Sequence, residues 1–121
     1  MNRSFHHERP IFQQIAEKIE ESILNGSLVE GEKAPSTNEI AAFYQINPAT
    51  AAKGINQLVD QEILYKKRGI GMFVLAGAKD LLMKRRKQDF YESYIIPLKQ
   101  EAINLNISKD ELIELIDSEE K

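Results

Sequence analysis

Gln45-Ile46-Asn47-Pro48-Ala49-Thr50-Ala51-Ala52-Lys53-Gly54-Ile55-Asn56-Gln57-Leu58-Val59 is the stretch that decides the fold. Asn47 followed by Pro48 marks a helix start. Asn caps the open N–H groups of a first turn, and Pro at the first helical position needs no N–H partner. Ala51, Ile55, Leu58 and Val59 then fall at i, i+4, i+7 and i+8, an apolar back. The opposite side carries Ala49, Thr50, Lys53 and Gln57, small, polar or basic and without an acid. Alone, this is an ordinary amphipathic helix as much as one shaped for a DNA groove. Its neighbours decide between the two.

Upstream, Ser36-Thr37-Asn38-Glu39 fits a capping box, Ser at the cap and Glu three residues on. It predicts a short helix with Ile40, Ala41 and Tyr44 on one side. Two helices of about eight and fifteen residues, joined by about three, form a helix-turn-helix whose second helix reads a major groove. Before them, Ile11, Ile15, Ile19 and Ile23 recur every four positions and predict a helix ended at Asn25-Gly26. Ser27 to Pro35 reads as a loop, with Leu28 turned into the core.

Downstream, Ile63 to Arg68 and Met72 to Leu75 read as two strands joined by Gly69-Ile70-Gly71, a hairpin wing. The two glycines permit positive φ and close approach of the backbone to another molecule. Lys66, Lys67 and Arg68 would bring charge to phosphates, or one side chain into a minor groove. After the small-residue joint Ala76-Gly77-Ala78 the pattern is helical. Met83, Phe90, Tyr94, Leu98, Ala102 and Leu105 form a long apolar stripe, which Pro97 should kink or break near Tyr94 to Ile96. Ser108-Lys109-Asp110-Glu111 is a second capping box, opening a helix that carries Leu112, Ile113, Leu115 and Ile116. A tail of about 40 residues is too short for a core of its own, so its apolar faces need the first domain or another chain.

Composition bounds the function. With 121 residues there is room for one domain and an appendage. No Cys is present, so disulfides and thiolate metal sites are excluded, and no apolar run approaches a membrane span. The N-terminus lacks the apolar core of a signal peptide, and a cytoplasmic location is expected. No nucleophile constellation exists, which argues against an enzyme, and no cofactor is indicated. His6 and His7 adjoin in a polar leader and make a weak metal pair at best. The net charge of −3 argues mildly against nucleic acid. Distribution matters more: Lys66-Lys67-Arg68 and Lys84-Arg85-Arg86-Lys87 are basic, while acids gather in the first helix and the tail. The second cluster points all round a helix and reads as solvated surface. Gly54 implies close packing, close DNA approach, or a neutral surface position.

Gly26-Ser27-Leu28-Val29-Glu30-Gly31-Glu32-Lys33-Ala34-Pro35-Ser36, Glu39-Ile40-Ala41, Asn47-Pro48-Ala49-Thr50 and Arg68-Gly69-Ile70-Gly71-Met72-Phe73-Val74 together resemble the winged helix of GntR-family bacterial transcription regulators. The resemblance covers about Arg9 to Ala78, and the short tail is similar to the YtrA-type branch. It implies a mostly α fold with a small β-hairpin wing: a winged helix-turn-helix over 9–78 and a helical dimerisation tail over 79–121. It also implies a homodimeric repressor of an operon linked to ABC-transporter genes, on a pseudo-palindromic double-stranded DNA operator. A small-molecule effector would fit the family habit, and no residue identifies it.

The expected DNA-facing residues are Ser36, Thr37, Asn38, Asn47, Pro48, Ala49, Thr50, Lys53, Lys67, Arg68, Gly69 and Ile70. The expected dimerisation residues are Met83, Phe90, Tyr94, Leu98, Leu105, Leu112 and Ile116. Asn38, Pro48 and Ala52 stand where many family members carry Arg, and Met72 replaces a usual Thr. Base readout is therefore expected to rest on Ala49, Thr50 and Lys53. The missing arginines and the acidic charge favour one rival, a winged-helix module for protein association.

Overall fold

The computed structural model describes Phe5 and residues 8–119; His6 and His7 lie outside the described residues. The chain divides into two compact units, Met1–Met83 and Lys84–Lys121.

In the first unit, α1 (Ile11–Leu24) buries Ile15, Ala16, Ile19 and Ile23, as the four-residue recurrence requires. Gln14 is buried among them, and its Nε2 donates to the Arg9 carbonyl at 2.8 Å. Left unsatisfied, such a buried donor would cost about 1–3 kcal/mol. α1 ends at Asn25, and Gly26 follows at φ +87°.

α2 (Thr37–Tyr44) and α3 (Pro48–Asp60) are joined by Gln45, Ile46 and Asn47. Gln45 is left-handed, with φ 57°, a conformation costing a non-glycine roughly 1–2 kcal/mol. The N–H groups of Gln45 and Ile46 both donate to the Ala41 carbonyl, which closes α2 and turns the chain into α3. α3 has 13 residues, slightly fewer than the fifteen expected. Its end is set by Glu62 at φ 62° and by Ile63, whose N–H returns to the Leu58 carbonyl at 2.9 Å.

Ala51, Gly54, Ile55 and Leu58 form the buried face of α3, and Val59 is half-buried at its border. Gly54 resolves its three readings in favour of packing. A Cβ built there would stand 2.7 Å from the Phe12 carbonyl oxygen and 3.0 Å from Ile15 Cγ2. The α3 backbone meets the α1 backbone at this point, with the Ile15 side chain beside it and no room for a methyl group.

β1 (Leu64–Lys67) pairs antiparallel with β2 (Gly71–Val74), in the register Leu64 to Val74 and Tyr65 to Phe73. Leu64 and Val74 complete the core from one face of the hairpin, and Ile63 joins them. The segment before α2, read from sequence as a plain loop, is edge-paired with β2. Gly31 N–H donates to Val74 O, Val74 N–H to Glu32 O and Ala34 N–H to Met72 O, at 2.9, 2.9 and 2.8 Å. The wing is thus tied to the α1–α2 connection. Leu28 is half-buried against the core.

α4 (Ala78–Phe90) starts with Ala78 and Leu82 in the same core. In the second unit a π-helical turn, Tyr91–Ile95, precedes α5 (Ile96–Asn104). Pro97 supplies no N–H and its ring crowds the carbonyl four residues back, so the helix widens by one residue just upstream. Ile96 N–H reaches Tyr91 O, the five-residue bond of that turn. The chain is displaced here and not broken. Asn106 turns at φ 56°, and Ser108 caps α6 (Lys109–Asp117) through the expected box with Glu111.

Gly54→Ala adds helix propensity worth up to about 1 kcal/mol but overpacks a contact where such changes cost about 1–3 kcal/mol. The expected result is a net loss of about 1–2 kcal/mol in urea unfolding. An unchanged midpoint would show that α1 can shift to admit the methyl.

Candidate nucleic-acid interface

The candidate surface is built from three local structures. The first is the start of α2. Ser36 Oγ accepts the Glu39 N–H at 3.0 Å, and Glu39 Oε1 accepts the Ser36 N–H at 2.8 Å. The bond from the Ser36 backbone, then that from its side chain, holds the Glu39 carboxyl below its ordinary value of 4.5; Lys33 contributes by charge. Thr37 is half-buried and Asn38 exposed beside it.

The second is the first half of α3. Asn47 Oδ1 accepts the Ala49 N–H at 2.8 Å, so its side chain serves the cap. Pro48 and Ala49 are exposed, and Thr50 is half-buried. Lys53 extends outward and back over α1, with Nζ 4.1 Å from the centre of the Phe12 ring. A cation on a half-exposed ring such as Phe12 is held by about 0.5–1 kcal/mol. Any contact between Lys53 and a base or phosphate would therefore begin with release from Phe12.

Asn56 and Asp60 continue the outward line of Ala49 and Lys53, and all four border one shallow groove beside Phe12. The front of α3 is thus not free of acid, as its first half suggested. Asp60 would meet phosphate with repulsion, so only the N-terminal half of α3 suits a polyanion. The spacing 49, 53, 56, 60 carried this signal, but the outward face was read only as far as Gln57.

The third is the wing tip. Ile70 N–H donates to Lys67 O at 2.9 Å and closes a turn with Gly69 at φ 77°. Arg68, Gly69 and Ile70 are exposed, Ile70 by 60%. Lys67 does not extend from the tip. Its Nζ lies 4.5 Å from the centre of the Phe73 ring and 5.9 Å from that of Tyr65, over two stacked aromatics. Gly71 sits at φ 145°, but the space a Cβ would take is filled by Lys33 Cε at 2.7 Å. The close approach that this glycine allows is internal. Sequence reasoning assigned no role to Lys33, Tyr65, Phe73 or Phe12, whose positions depend on pairings between distant segments.

The expected tail residues are placed otherwise. Met83, Phe90, Tyr94, Leu98, Leu105 and Ile116 are all exposed large hydrophobics, and Leu112 is half-buried. Phe90 and Tyr94 touch, with ring centres 5.5 Å apart. Lys84, Arg85, Arg86 and Lys87 are exposed along α4.

Glu39 has a depressed native carboxyl value, so its contribution to stability is fully present above its ordinary value of 4.5. That contribution is lost as pH falls through the lower native value. Glu39→Gln, which cannot ionise, should show a shallower fall of melting temperature on acidification from about pH 6 to about pH 3. Parallel curves for the two proteins would remove the carboxylate from the stability of α2.

Residues 11–74 match the family model described as bacterial regulatory proteins, gntR family. The chain is 31% identical over 106 residues to the HTH-type transcriptional repressor YtrA of Bacillus subtilis, covering 88% of this chain and 78% of that one. Its fold is similar to a putative GntR-family regulator from Bacteroides thetaiotaomicron, with a TM-score of 0.75 and 35% identity, over 88% of this chain and 92% of the other. It is also similar to S. agalactiae BusR in complex with its busA-promotor DNA, with a TM-score of 0.56 and 31% identity, over 86% of this chain and 52% of that one. The chain belongs to the gntR family of bacterial regulatory proteins, in its YtrA-type branch, and is a DNA-binding transcription regulator and not an enzyme.

Proposed function

We propose that the chain is a dimeric cytoplasmic repressor that binds a pseudo-palindromic operator and controls an operon linked to ABC-transporter genes. The observation that carries the DNA part is the three-residue link between α2 and α3. It sets the exposed start of α3, Pro48 and Ala49 with Thr50 beside them, directly after the end of α2. In this reading the first half of α3 enters a major groove. Ala49 meets a thymine methyl, and Thr50 offers its hydroxyl or methyl to a base edge. Asn47 and Pro48 hold that end of the helix in place. Ser36, Thr37, Asn38 and Lys67 face the sugar-phosphate backbone, and Arg68, Gly69 and Ile70 face the adjacent minor groove. The repressor sign is supported by the similarity to YtrA of Bacillus subtilis, an HTH-type transcriptional repressor. The transporter link follows from the branch resemblance.

The dimer is supported by the tail. Tyr94 is 65% exposed and Ile116 73%, within a series of large apolar side chains along α4, α5 and α6. Clustered apolar exposure of this kind favours a partner surface, and an operator dyad favours a second copy. Two recognition helices would then address half-sites about 34–36 Å apart. Any effector would be a small molecule, in keeping with the family resemblance.

Fluorescence anisotropy on DNA from upstream of the chain's own operon, against a scrambled duplex at several salt concentrations, tests the reading. Specific binding with a steep salt slope is expected. Absence of binding to any duplex in a genomic selection at low salt would favour a protein-association module instead. Lys53→Ala should cost about 1–3 kcal/mol and relax specificity at one position if Lys53 leaves Phe12 to read a base. A uniform loss across sequences would mark a phosphate contact, and wild-type behaviour would remove Lys53 from the interface. Paired Tyr94→Asp and Leu98→Asp substitutions should give a monomer in analytical ultracentrifugation, with operator affinity at least about tenfold weaker. A dimer that survives both changes would place the interface elsewhere.

A further inference from the structure

Lys33 lies in the edge segment paired with β2, bridged to Phe73 and flanked by the Ala34-to-Met72 hydrogen bond. Its stem crosses Gly71, the first residue after the wing turn, in the space a side chain would otherwise fill. Its charge acts on Glu39 in the first turn of α2. The ammonium therefore lies over the wing at Gly71, close enough to the first turn of α2 for its charge to be felt at Glu39. Tyr65, Lys67, Gly71 and Phe73 alternate with the core-facing Leu64 and Val74, so they share the outward face of the hairpin. Lys33 adds a second cation to that face beside Lys67.

We infer that Lys33 is a further DNA-binding residue of this chain, contacting the phosphate that spans the gap between α2 and the wing. The inference rests on the DNA-binding reading above. It also answers a deficit in the sequence: Asn38, Pro48 and Ala52 bring no charge to the surface, and Lys53 and Lys67 are each held over aromatic rings. Lys33 is exposed and its stem lies against Gly71, so less side-chain freedom is lost when a phosphate arrives. A phosphate contact positions the protein and carries no sequence information.

The test is the salt dependence of DNA binding by the full chain, measured by anisotropy on operator and scrambled duplexes. Removing one phosphate contact reduces the slope of log affinity against log salt by about 0.9. Lys33→Gln should therefore bind both duplexes more weakly by a similar factor. The gap between wild type and variant should narrow about 3.5-fold from about 50 to about 200 mM salt. Lys33→Arg should restore the wild-type slope, and melting temperatures of both variants should match wild type. A Lys33→Gln slope equal to that of wild type overturns the proposal while leaving the regulator reading intact. A wild-type protein with no salt-dependent DNA affinity overturns both.

Discussion

The contact between Gly54 of α3 and the Phe12 carbonyl of α1 is the constraint on which the rest of the first unit depends. With no Cβ in the way, the α3 backbone settles against α1, and Ile15 fills the space beside it. That approach fixes the rotation of α3 about its own axis. Ala51, Ile55 and Leu58 then point into the core with Ile19, Ile40 and Tyr44, and the start of the helix is turned outward. A bulkier residue would push α3 away and alter the angle at which Pro48, Ala49 and Thr50 are presented. A glycine that lowers helix propensity is kept where close packing matters more.

A second constraint runs through the edge segment before α2. A two-stranded hairpin is marginal by itself. Here it gains a third, short edge from residues 31–34, together with core contacts from Leu64 and Val74. The wing is consequently tied to the start of α2 through a few covalent bonds of chain. The three surfaces that would meet DNA are thus set by two couplings, α1 to α3 and the α2 lead-in to β2. Lys33 is part of the second coupling.

The distribution of charge follows the same architecture. The net charge of −3 is unfavourable for a polyanion ligand, yet acids are sparse around the starts of α2 and α3. Glu39 is the exception at α2, and its carboxylate is engaged by Ser36. Asp60 marks where the useful part of α3 ends. Aromatic rings hold Lys53 and Lys67 close to the protein, a modest restraint that phosphate or base contacts could outcompete.

Much of this was legible in the chain alone. Asn47-Pro48, Ser36 with Glu39, and Ser108 with Glu111 name their caps locally, because a cap depends on residues three or four apart. The isoleucines of α1 and the apolar back of α3 name their buried faces, because helix periodicity is a property of the segment. The exposure of the candidate residues at the start of α3 and the wing tip was readable for the same reason. What only the tertiary structure decided involves residues far apart in sequence. Gly54 could not be told from a surface glycine until Phe12 was seen beside it. Gly71 could not be told from a site of external approach until Lys33 was seen over it. The loop before α2 became a strand edge only once β2 was there to pair with it. Local propensity sets the elements, and the fit of one element against another sets where the charges and the small residues end up.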